Sequence, residues 1–500
     1  MGKRRKKEGW MIPGREKLAM IMGPGSLQAL NTYVATFLST YLLMTGISPV
    51  VAAGALLILK LWDSVNDVVF GYFVDKIHFK PGKNAFTKWL FGGRYLPWFR
   101  MLFLLVPFGT IIIFSISTEL PMGLRVAQFM IGYFLFDAGC TITGALGLLP
   151  LSTTDNYDER NFLLAWTGLG QGFGSLPVVF LGNMFIAGSL GYQGAALIFS
   201  LLGLFLAMFP ALFVKERNAQ STRADETQQE KYTIRDMLKT LKEMPELMWL
   251  LAGTFLWGIF YTGGYGLFVS YYIFGDANLS VILSAFAVLP TIVLVPFLPA
   301  IYKRVDKARI ARLCCTVFVI CGIFMNLLGA EFFKANLQVL YLITVIQSTS
   351  YVLTMFAGGQ LIMDLVEMAK YRTGREVGGI VSSLYSLVTK LVNSLVGTVT
   401  LLILTVYGWQ SVEADSFQQL AELNAQGIGL QTEHALEGLW NVSYLFPVIG
   451  FALAAVAFSF VRIGRKDTQI YMSANSGAIT REEAEEQLSA LNKGKSQKKD

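Results

Sequence analysis

Twelve apolar stretches divide this 500-residue chain, each long enough to cross a hydrocarbon core as a helix. They cover residues 19–44, 50–74, 95–116, 121–149, 162–186, 192–214, 248–274, 279–302, 310–329, 338–363, 377–407 and 439–461. Hydrophobic residues make up 54% of the chain and charged residues 15%, against roughly 25% charged in a soluble domain. In lipid every backbone N–H and C=O must be bonded inside the protein, so such a chain folds as bundled helices. A long polar break after the sixth stretch splits the twelve into two sets of six. The expectation is an all-α membrane protein of twelve transmembrane helices in two six-helix bundles. Its parts are a basic arm (1–18), a first bundle (19–214), a linker (215–247), a second bundle (248–461) and a polar tail (462–500).

The net charge of +7 sits mostly in alternate loops and in the tails, so it reports orientation and gives no sign of nucleic-acid binding. Lysine and arginine fall in the arm, in 75–94, in 155–160, in the linker and in 303–312, 370–375 and 462–466. Lys334 is the clear exception. The arm, linker and tail are therefore expected on the cytoplasmic side of a cell's inner (cytoplasmic) membrane, with the chain crossing many times. The loop 409–436 then faces outward; it is acidic, with a short helix around 416–424, and reads either as a partner-binding loop or as a solvated surface. An amphipathic helix closes the linker, and 479–492 reads as a surface helix. No cleavage site follows the basic start, MGKRRKKEGW, within the length of a signal peptide, so the first span is expected to be retained. Cys140, Cys314, Cys315 and Cys321 all lie in apolar stretches, as small buried hydrophobes do, and suggest no disulfide framework.

The second span, LILKLWDSVNDVVFGYFV, carries Asp63, Asn66 and Asp67 near its middle. Asp63 and Asp67 are one turn apart and share a helix face, with Asn66 beside them. A carboxylate at that depth costs at least ~2.5 kcal/mol, and two close together also repel unless a cation or proton lies between them. Either the pair works on a cation, or it is structural and partly neutralised by Lys60, one turn earlier, which can serve only one of the two acids. Hard oxygens of this kind suit Na⁺ or Li⁺, and a buried carboxyl can carry H⁺. Span IV adds Asp137 at mid-depth and Arg125 nearer its outer end. Asp137 reads as a substrate or coupling residue. In span XI, Lys390 must face a carboxylate or water; it reads as a mobile competitor of the acidic pair or as a static ion pair.

Four further sequence elements resemble one family. Span II reads Asp63-Ser-Val-Asn66-Asp67 with Gly71 and Asp75, and a Gly93-Arg94-Tyr95-Leu96-Pro97-Trp98 run follows. Thr154-Asp155 and Glu159-Arg160 precede span V; Asp364, Arg372-Thr373-Gly374-Arg375, Gly379 and Lys390 run from span X into span XI. In that order these resemble the glycoside–pentoside–hexuronide:cation symporters, the melibiose permease type. Two sets of six spans also match the major facilitator fold. The resemblance implies a symporter that imports a sugar or glycoside together with Na⁺, Li⁺ or H⁺, by alternating access. It implies a cation site at Asp63, Asn66 and Asp67, completed by a span IV threonine. That position falls on Cys140 here, with Thr141 and Thr143 as neighbours able to substitute. If the ion is sodium, Asp63 and Asp67 are its metal ligands. Asp75, Arg94, Glu159, Arg160, Asp364, Arg372 and Arg375 are implied as gating residues, and Lys390 and Asp137 as coupling residues.

The family's charged sugar-binding residues in spans I and V fall on Ser26, Leu27 and the neighbourhood of Gly168, none of them charged. The substrate-facing candidates are instead Gln28, Asn31 and Tyr33 in span I, Trp166 and Gln171 in span V, Trp257 and Tyr261 in span VII, and Gln347 in span X. Hydrogen-bonding groups beside aromatic faces suit a neutral polyol. Dense glycines at 168–174 and 263–266 let helices approach closely or bend, for rocking or for plain packing. No phosphate-binding loop, zinc spacing or nucleophile set appears, so an enzyme is not expected. The expected partners are a small-molecule, carbohydrate substrate and the lipid bilayer, with no resident cofactor, no nucleic acid and a monomeric chain. The other readings are a lysolipid or other organic solute carrier of the same fold and a non-transporting membrane sensor.

Overall fold

A computed structural model describes residues 10–77, 79–80, 83–93, 95–143, 149, 153–154, 157–217, 234–261, 263–375 and 377–496. Among them the regular structure is helical, and the one extended pairing is a bridge between Thr45 and Glu413. The helices are α1 (Gly14–Met44), α2 (Pro49–Lys76), α3 (Ala85–Leu90), α4 (Leu96–Leu102), α5 (Leu105–Ile113), α6 (Met122–Thr143), α7 (Tyr157–Ala187), α8 (Gly191–Phe213), α9 (Ile234–Glu243) and α10 (Pro245–Phe260). After a turn of 3₁₀ helix (Gly263–Tyr265) and a π-helical stretch (Val269–Ile273) come α11 (Leu279–Leu294), α12 (Leu298–Tyr302), α13 (Lys307–Ala335), α14 (Leu337–Thr373) and α15 (Gly378–Val406). The rest are α16 (Phe417–Ala425), α17 (Glu433–Trp440), α18 (Phe446–Ser459), α19 (Arg465–Asn475) and α20 (Arg481–Ser496).

Among the described residues eight helical segments are long and apolar enough to cross a membrane: 96–113, 169–187, 191–213, 279–302, 307–335, 337–373, 378–406 and 433–459. The first, second, fourth and seventh expected spans are helical too, as α1, α2, α6 and α10. Among the described residues four expected spans are broken, one of them at Pro296, in the 3₁₀ turn Val295–Phe297 between α11 and α12, and the other breaks have local causes too. Pro107 has no N–H to give and its ring crowds the carbonyl of Phe103, where α4 hands over to α5. Pro447 does the same to Ser443, inside the π-helical stretch Asn441–Leu445 before α18. The seventh span gives way after α10 at the glycine pair Gly263-Gly264.

The chain forms two compact units: one from Met1–Glu230, Gly263–Ser284 and Leu401–Gly438, the other from Lys231–Thr262, Ala285–Thr400 and Leu439–Asp500. In the first unit α1 packs against α7 and α8. Its core is a run of rings: Tyr33 lies 4.8 Å from Phe114 and 5.4 Å from Phe199, and Tyr41 lies 5.5 Å from Tyr192. Glycine sets the α1–α7 approach. A Cβ on Gly174 would lie 2.0 Å from the Gly25 carbonyl oxygen, and one on Gly170 would lie 2.4 Å from that of Ile21. The second glycine cluster acts in the same way: a Cβ on Gly264 would meet the Thr36 carbonyl at 2.4 Å.

In the second unit α10, α13, α14 and α18 surround a core in which Phe318 and Phe451 stack at 3.9 Å and 14°. The tail was expected to be polar with one surface helix, but it forms two docked helices. Tyr471 of α19 lies against Tyr371, Asn475 donates to the Glu367 carboxylate at 2.8 Å, and Ala484 of α20 is fully buried. The loop 409–436 departs furthest from a solvated surface. Trp409, Val412, Ala414, Phe417 and Leu420 are all buried, and the loop packs within the first unit.

Candidate functional site

The polar centre of the first unit lies where α2 meets α6. Asn66 is fully buried. Its amide nitrogen donates to Asp137 Oδ2 at 2.9 Å and to Thr141 Oγ1 at 3.2 Å. Asp137 and Thr141 are one turn apart on α6, as Asp63 and Asp67 are on α2, so two i,i+4 polar faces meet across the helix pair. Asp63, on α2 one turn before Asn66, lies close enough to Asp137 for the two carboxyls to interact. Lys60 Nζ stands 4.0 Å from Asp63 Oδ2 and 5.4 Å from the centroid of the Tyr133 ring. The Asn66 carbonyl oxygen is buried and accepts no hydrogen bond among the described residues.

That orphaned oxygen is the feature an ion would use. A buried amide oxygen without a partner costs about 1–3 kcal/mol. Here it lies beside two carboxyls and a hydroxyl that share one ammonium. A monovalent cation or a proton would neutralise the excess negative charge, and a cation would also engage the idle oxygen. No group of three or more His, Cys, Asp or Glu among the described residues has metal-holding geometry. Carboxyl, amide and hydroxyl oxygens are hard donors of the kind an alkali cation takes.

Several expected members of this site are placed and others are not. Thr141 is the α6 hydroxyl that reaches Asn66, while the Cys140 thiol donates to Asn31 Oδ1 on α1 at 3.4 Å. The side chains of Asp67 and Thr143 lie outside the described residues, although both positions are helical. Asp137 is drawn into the cluster by Asn66. The sequence did show an acid at mid-depth, but the register between α2 and α6 that pairs it with Asn66 is a tertiary fact.

The candidate substrate residues divide between the units. In the first, Gln28 and Asn31 are half-buried on α1, and Gln171 and Trp166 are exposed on α7, with Trp166 5.6 Å from Phe162. Tyr33 is a correction: it is fully buried, and its hydroxyl donates to the Tyr192 carbonyl at 2.7 Å, so it packs the ring core and has no group left for a solute. In the second unit Trp257 of α10 and Tyr261, just past its end, meet Tyr351 of α14. Tyr261 stacks on Tyr351 at 4.3 Å and 12°, and Trp257 meets it edge-on at 5.6 Å. Gln347, one turn before Tyr351, is half-buried beside Gly322. Lys390 is exposed on α15.

The residues expected to gate have definite partners where they are described. Glu159 is fully buried at the start of α7. Its carboxylate accepts from the backbone N–H groups of Met11 and Ile12 at 3.0 and 3.1 Å and from Thr154 Oγ1 at 3.0 Å, and it pairs with Lys17 at 2.7 Å. Burial pushes its pKa up, but Lys17 and these donors outweigh burial and hold it below the ordinary carboxylate value. Glu159 thus straps residues 11–17 to the bundle, with Trp10 against Phe162 and Glu16 paired to Arg217. Asp364 pairs with Lys307 at 2.8 Å, and Arg372 grips Glu246 with two 2.9 Å bonds. Arg375 is exposed, its N–H donating to Thr373 Oγ1. The side chains of Asp75 and Arg160 lie outside the described residues, as does all of Arg94. The sequence reading missed Glu16 and Glu216; the latter accepts from the N–H groups of Tyr95 and Leu96 at 2.8 and 2.6 Å.

A family model described as MFS/sugar transport protein matches residues 20–465. The chain belongs to that family. It is a multi-pass membrane protein of the major facilitator type, a transporter and not an enzyme. Its relatives are those of a glycoside–pentoside–hexuronide:cation symporter. It is 24% identical over 460 residues to the uncharacterised symporter YnaJ of Bacillus subtilis, covering 88% of this chain and 90% of that one. It is 22% identical to the isoprimeverose transporter of Lactiplantibacillus pentosus, over 91% of this chain and 90% of that one. It is 23% identical over 384 residues to the lactose permease of Lactobacillus delbrueckii subsp. bulgaricus; the match covers 72% of this chain and 58% of the permease's length. Among solved structures, the nucleoside transporter NupG superposes with a TM-score of 0.56 at 12% identity, over 90% of this chain and 99% of that one. A bacterial homologue of the lysosomal transporter Spinster, in an inward-facing state, gives 0.57 at 13%, over 90% and 97%. At such identity these two structures speak for the fold alone.

Proposed function

We propose that the protein is a cation-coupled symporter that imports a sugar or glycoside by alternating access. The observation that carries this is Asn66, a fully buried amide tied to Asp137 and Thr141, with its own oxygen unpartnered beside the carboxyls of Asp63 and Asp137. The coupling ion, Na⁺, Li⁺ or H⁺, engages Asp63, Asn66, Asp137 and Thr141, with Asp67 on the same helix face. Occupancy neutralises the acids and relieves the orphaned oxygen, and so favours the state that accepts substrate. By linkage each ligand then tightens the other. Asp137 acts here as a coupling residue, and Lys390 is the second.

Support for a sugar comes from the names of two relatives, lactose permease and isoprimeverose transporter. It comes also from the side chains on offer: Gln28, Asn31 and Gln171 in the first unit, and the Trp257–Tyr261–Tyr351 rings with Gln347 in the second. Aromatic faces and amides recognise a neutral polyol. Asp75, Arg94, Glu159, Arg160, Asp364, Arg372 and Arg375 are read as gating residues. The carrier works as a monomer of two six-helix bundles in the inner membrane, with both termini in the cytoplasm, as the distribution of lysine and arginine favours.

Uptake into proteoliposomes of a panel of sugars and glycosides, with sodium, lithium and proton gradients imposed in turn, tests the reading. Concentrative uptake of at least one member under one of the three gradients is expected. No gradient-driven uptake of any member by folded, reconstituted protein would overturn it. A topology check goes with it: a cysteine at Gln426 should label from outside intact cells and one in the tail should not.

A further inference from the structure

The loop 409–436 is bonded to the first unit at the end of the bundle where α1 finishes. The N–H of Val412 donates to the Leu43 carbonyl at 3.0 Å, and that of Ala414 donates to the Met44 carbonyl at 2.9 Å. Ser411 Oγ donates to the Ile47 carbonyl at 2.7 Å, and Thr45 bridges to Glu413. The acceptors are carbonyls at or just past the last turn of α1, which have no partner within the helix. Below them Arg125 of α6 is buried, with 6% of its surface exposed. Its guanidinium donates to the carbonyls of Leu120 and Thr45 at 2.6 and 2.8 Å and to that of Thr118. Its one carboxylate partner among the described residues is Glu413, at 2.6 Å.

We propose that 409–436 is a lid latched by Glu413 onto Arg125, and that the latch opens and recloses in each transport cycle. The inference rests on the alternating-access reading but not on the identity of the solute. Three features make it a latch. First, its two sides are unequal: Arg125 is buried and keeps three carbonyls when Glu413 leaves, whereas Glu413 is 57% exposed and is readily hydrated. Second, the rungs end on helix-terminal carbonyls that water satisfies equally well, so lifting them orphans nothing. Third, the lid has internal bonds that hold its shape, while its other holds on the unit include ring contacts of Trp409 and Phe417 with Phe268, Tyr271 and Tyr272 and one bond between Asn424 and the Tyr271 hydroxyl. Gln410 and Gln431 bond each other at its base, by Gln410 N–H to Oε1 at 3.1 Å and by Nε2 to the Gln410 carbonyl at 2.7 Å. Ser416 caps α16 within it. Its apolar underside, Phe417 and Leu420, rests at the rim, with Phe417 6.2 Å from Tyr192.

The test uses the full chain in proteoliposomes and a thiol reporter, Thr40→Cys. Thr40 is fully buried on α1, its hydroxyl donating to the Phe37 carbonyl at 3.0 Å, one turn before the α1 end on which the lid rests. An impermeant maleimide is applied from outside, with the chain lacking the reporter as background. Labelling should be slow with the latch intact and about fivefold faster with Glu413→Gln, the size expected for losing one partly exposed ion pair. A second variant pairs Thr45→Cys with Glu413→Cys. Bridge partners lie ~4.5–5.5 Å apart, within disulfide range. Oxidation should abolish both labelling of the reporter and concentrative uptake, and reduction should restore them. Equal labelling rates in the parent and Glu413→Gln, or undiminished uptake by the oxidised pair, would overturn the latch. The labelling arm needs no substrate, so it stands even if the sugar reading fails.

Discussion

The two compact units handle polarity in opposite ways. In the first, Asn66 and Asp137 are buried together in mid-helix, and Arg125, Glu16 and Glu159 are buried at helix ends, each held by named donors or acceptors. In the second, ion pairs collect at helix ends, with Lys307 on Asp364 and Arg372 on Glu246, and the middle is filled by Trp257, Tyr261, Tyr351, Phe318 and Phe451. A buried charge is costly and is kept only where it is balanced, so in the proposed symport the first unit is where charge enters and leaves. Rings attract through their faces whatever the local charge. The contrast points to ion handling in the first unit and to solute contact through stacked rings in the second.

Four expected outcomes break or sharpen that contrast. The largest effect belongs to the α2–α6 centre. Asn66→Leu removes both donated bonds and the idle oxygen, and Asp137→Asn removes a charge at near-constant volume. Each should lower ion-driven accumulation about 10- to 100-fold, the scale of one lost charged hydrogen bond, while exchange down a gradient persists. The same holds for Asp63→Cys and Asp67→Cys; full ion-stimulated accumulation in all four variants would remove the first unit's claim to the ion. Next comes Lys390→Ala, the exception to the contrast, since it places a cation in mid-helix of α15. Coupled uptake should fall several-fold, about 1 kcal/mol in effect, with expression unchanged; wild-type coupling would leave Lys390 a packing residue.

Smaller effects are expected in the ring stack. Tyr351→Ala should raise the substrate concentration at half-maximal uptake about 3- to 10-fold, in keeping with the loss of one or two ring contacts, without altering the ion's half-maximal concentration. A shift in the ion parameter instead would erase the division between units. The smallest effect concerns the arm. The pKa of Glu159 is lowered in the folded chain, so its hold on Met11 and Ile12 is complete above the ordinary glutamate value of 4.5 and is lost as pH falls through its own lower value. Amide exchange in residues 10–17, corrected for intrinsic pH dependence, should accelerate only below that point. Glu159→Gln should show the faster exchange already at neutral pH.

The helices were legible because lipid leaves the backbone no other choice, and apolar length marks each span. Their breaks were only half legible: Pro107 and Pro447 stand in plain sight, but whether such a residue kinks a helix or merely sits in it depends on what packs nearby, as the unbroken α1 with its Pro24 shows. The helix α19 was missed because its sequence, RKDTQIYMSAN, is polar and is held by docking against Tyr371 and Glu367. Within the site, Asp63 and Asn66 announced themselves through the cost of placing them at depth. The tie between Asn66 and Asp137 spans 71 residues and that between Arg125 and Glu413 spans 288, and neither leaves a local pattern.

The contact of α1 with α7 through Gly25, Gly170 and Gly174 has a mechanical consequence. Side chains that interlock can re-sort their rotamers and let two helices slide; backbone resting on backbone has no rotamers to exchange. With a carbonyl oxygen 2.0 Å from where a Cβ on Gly174 would stand, the pair has no play along its shared axis. The 31 residues of α1 make a bar of about 46 Å. One end begins just past the strap that Glu159 ties, and the other ends under the lid that Glu413 latches. A displacement imposed at either end is delivered to the other without slack, as through a push-rod, and an alanine at Gly174 would jam the rod before it changed any charge.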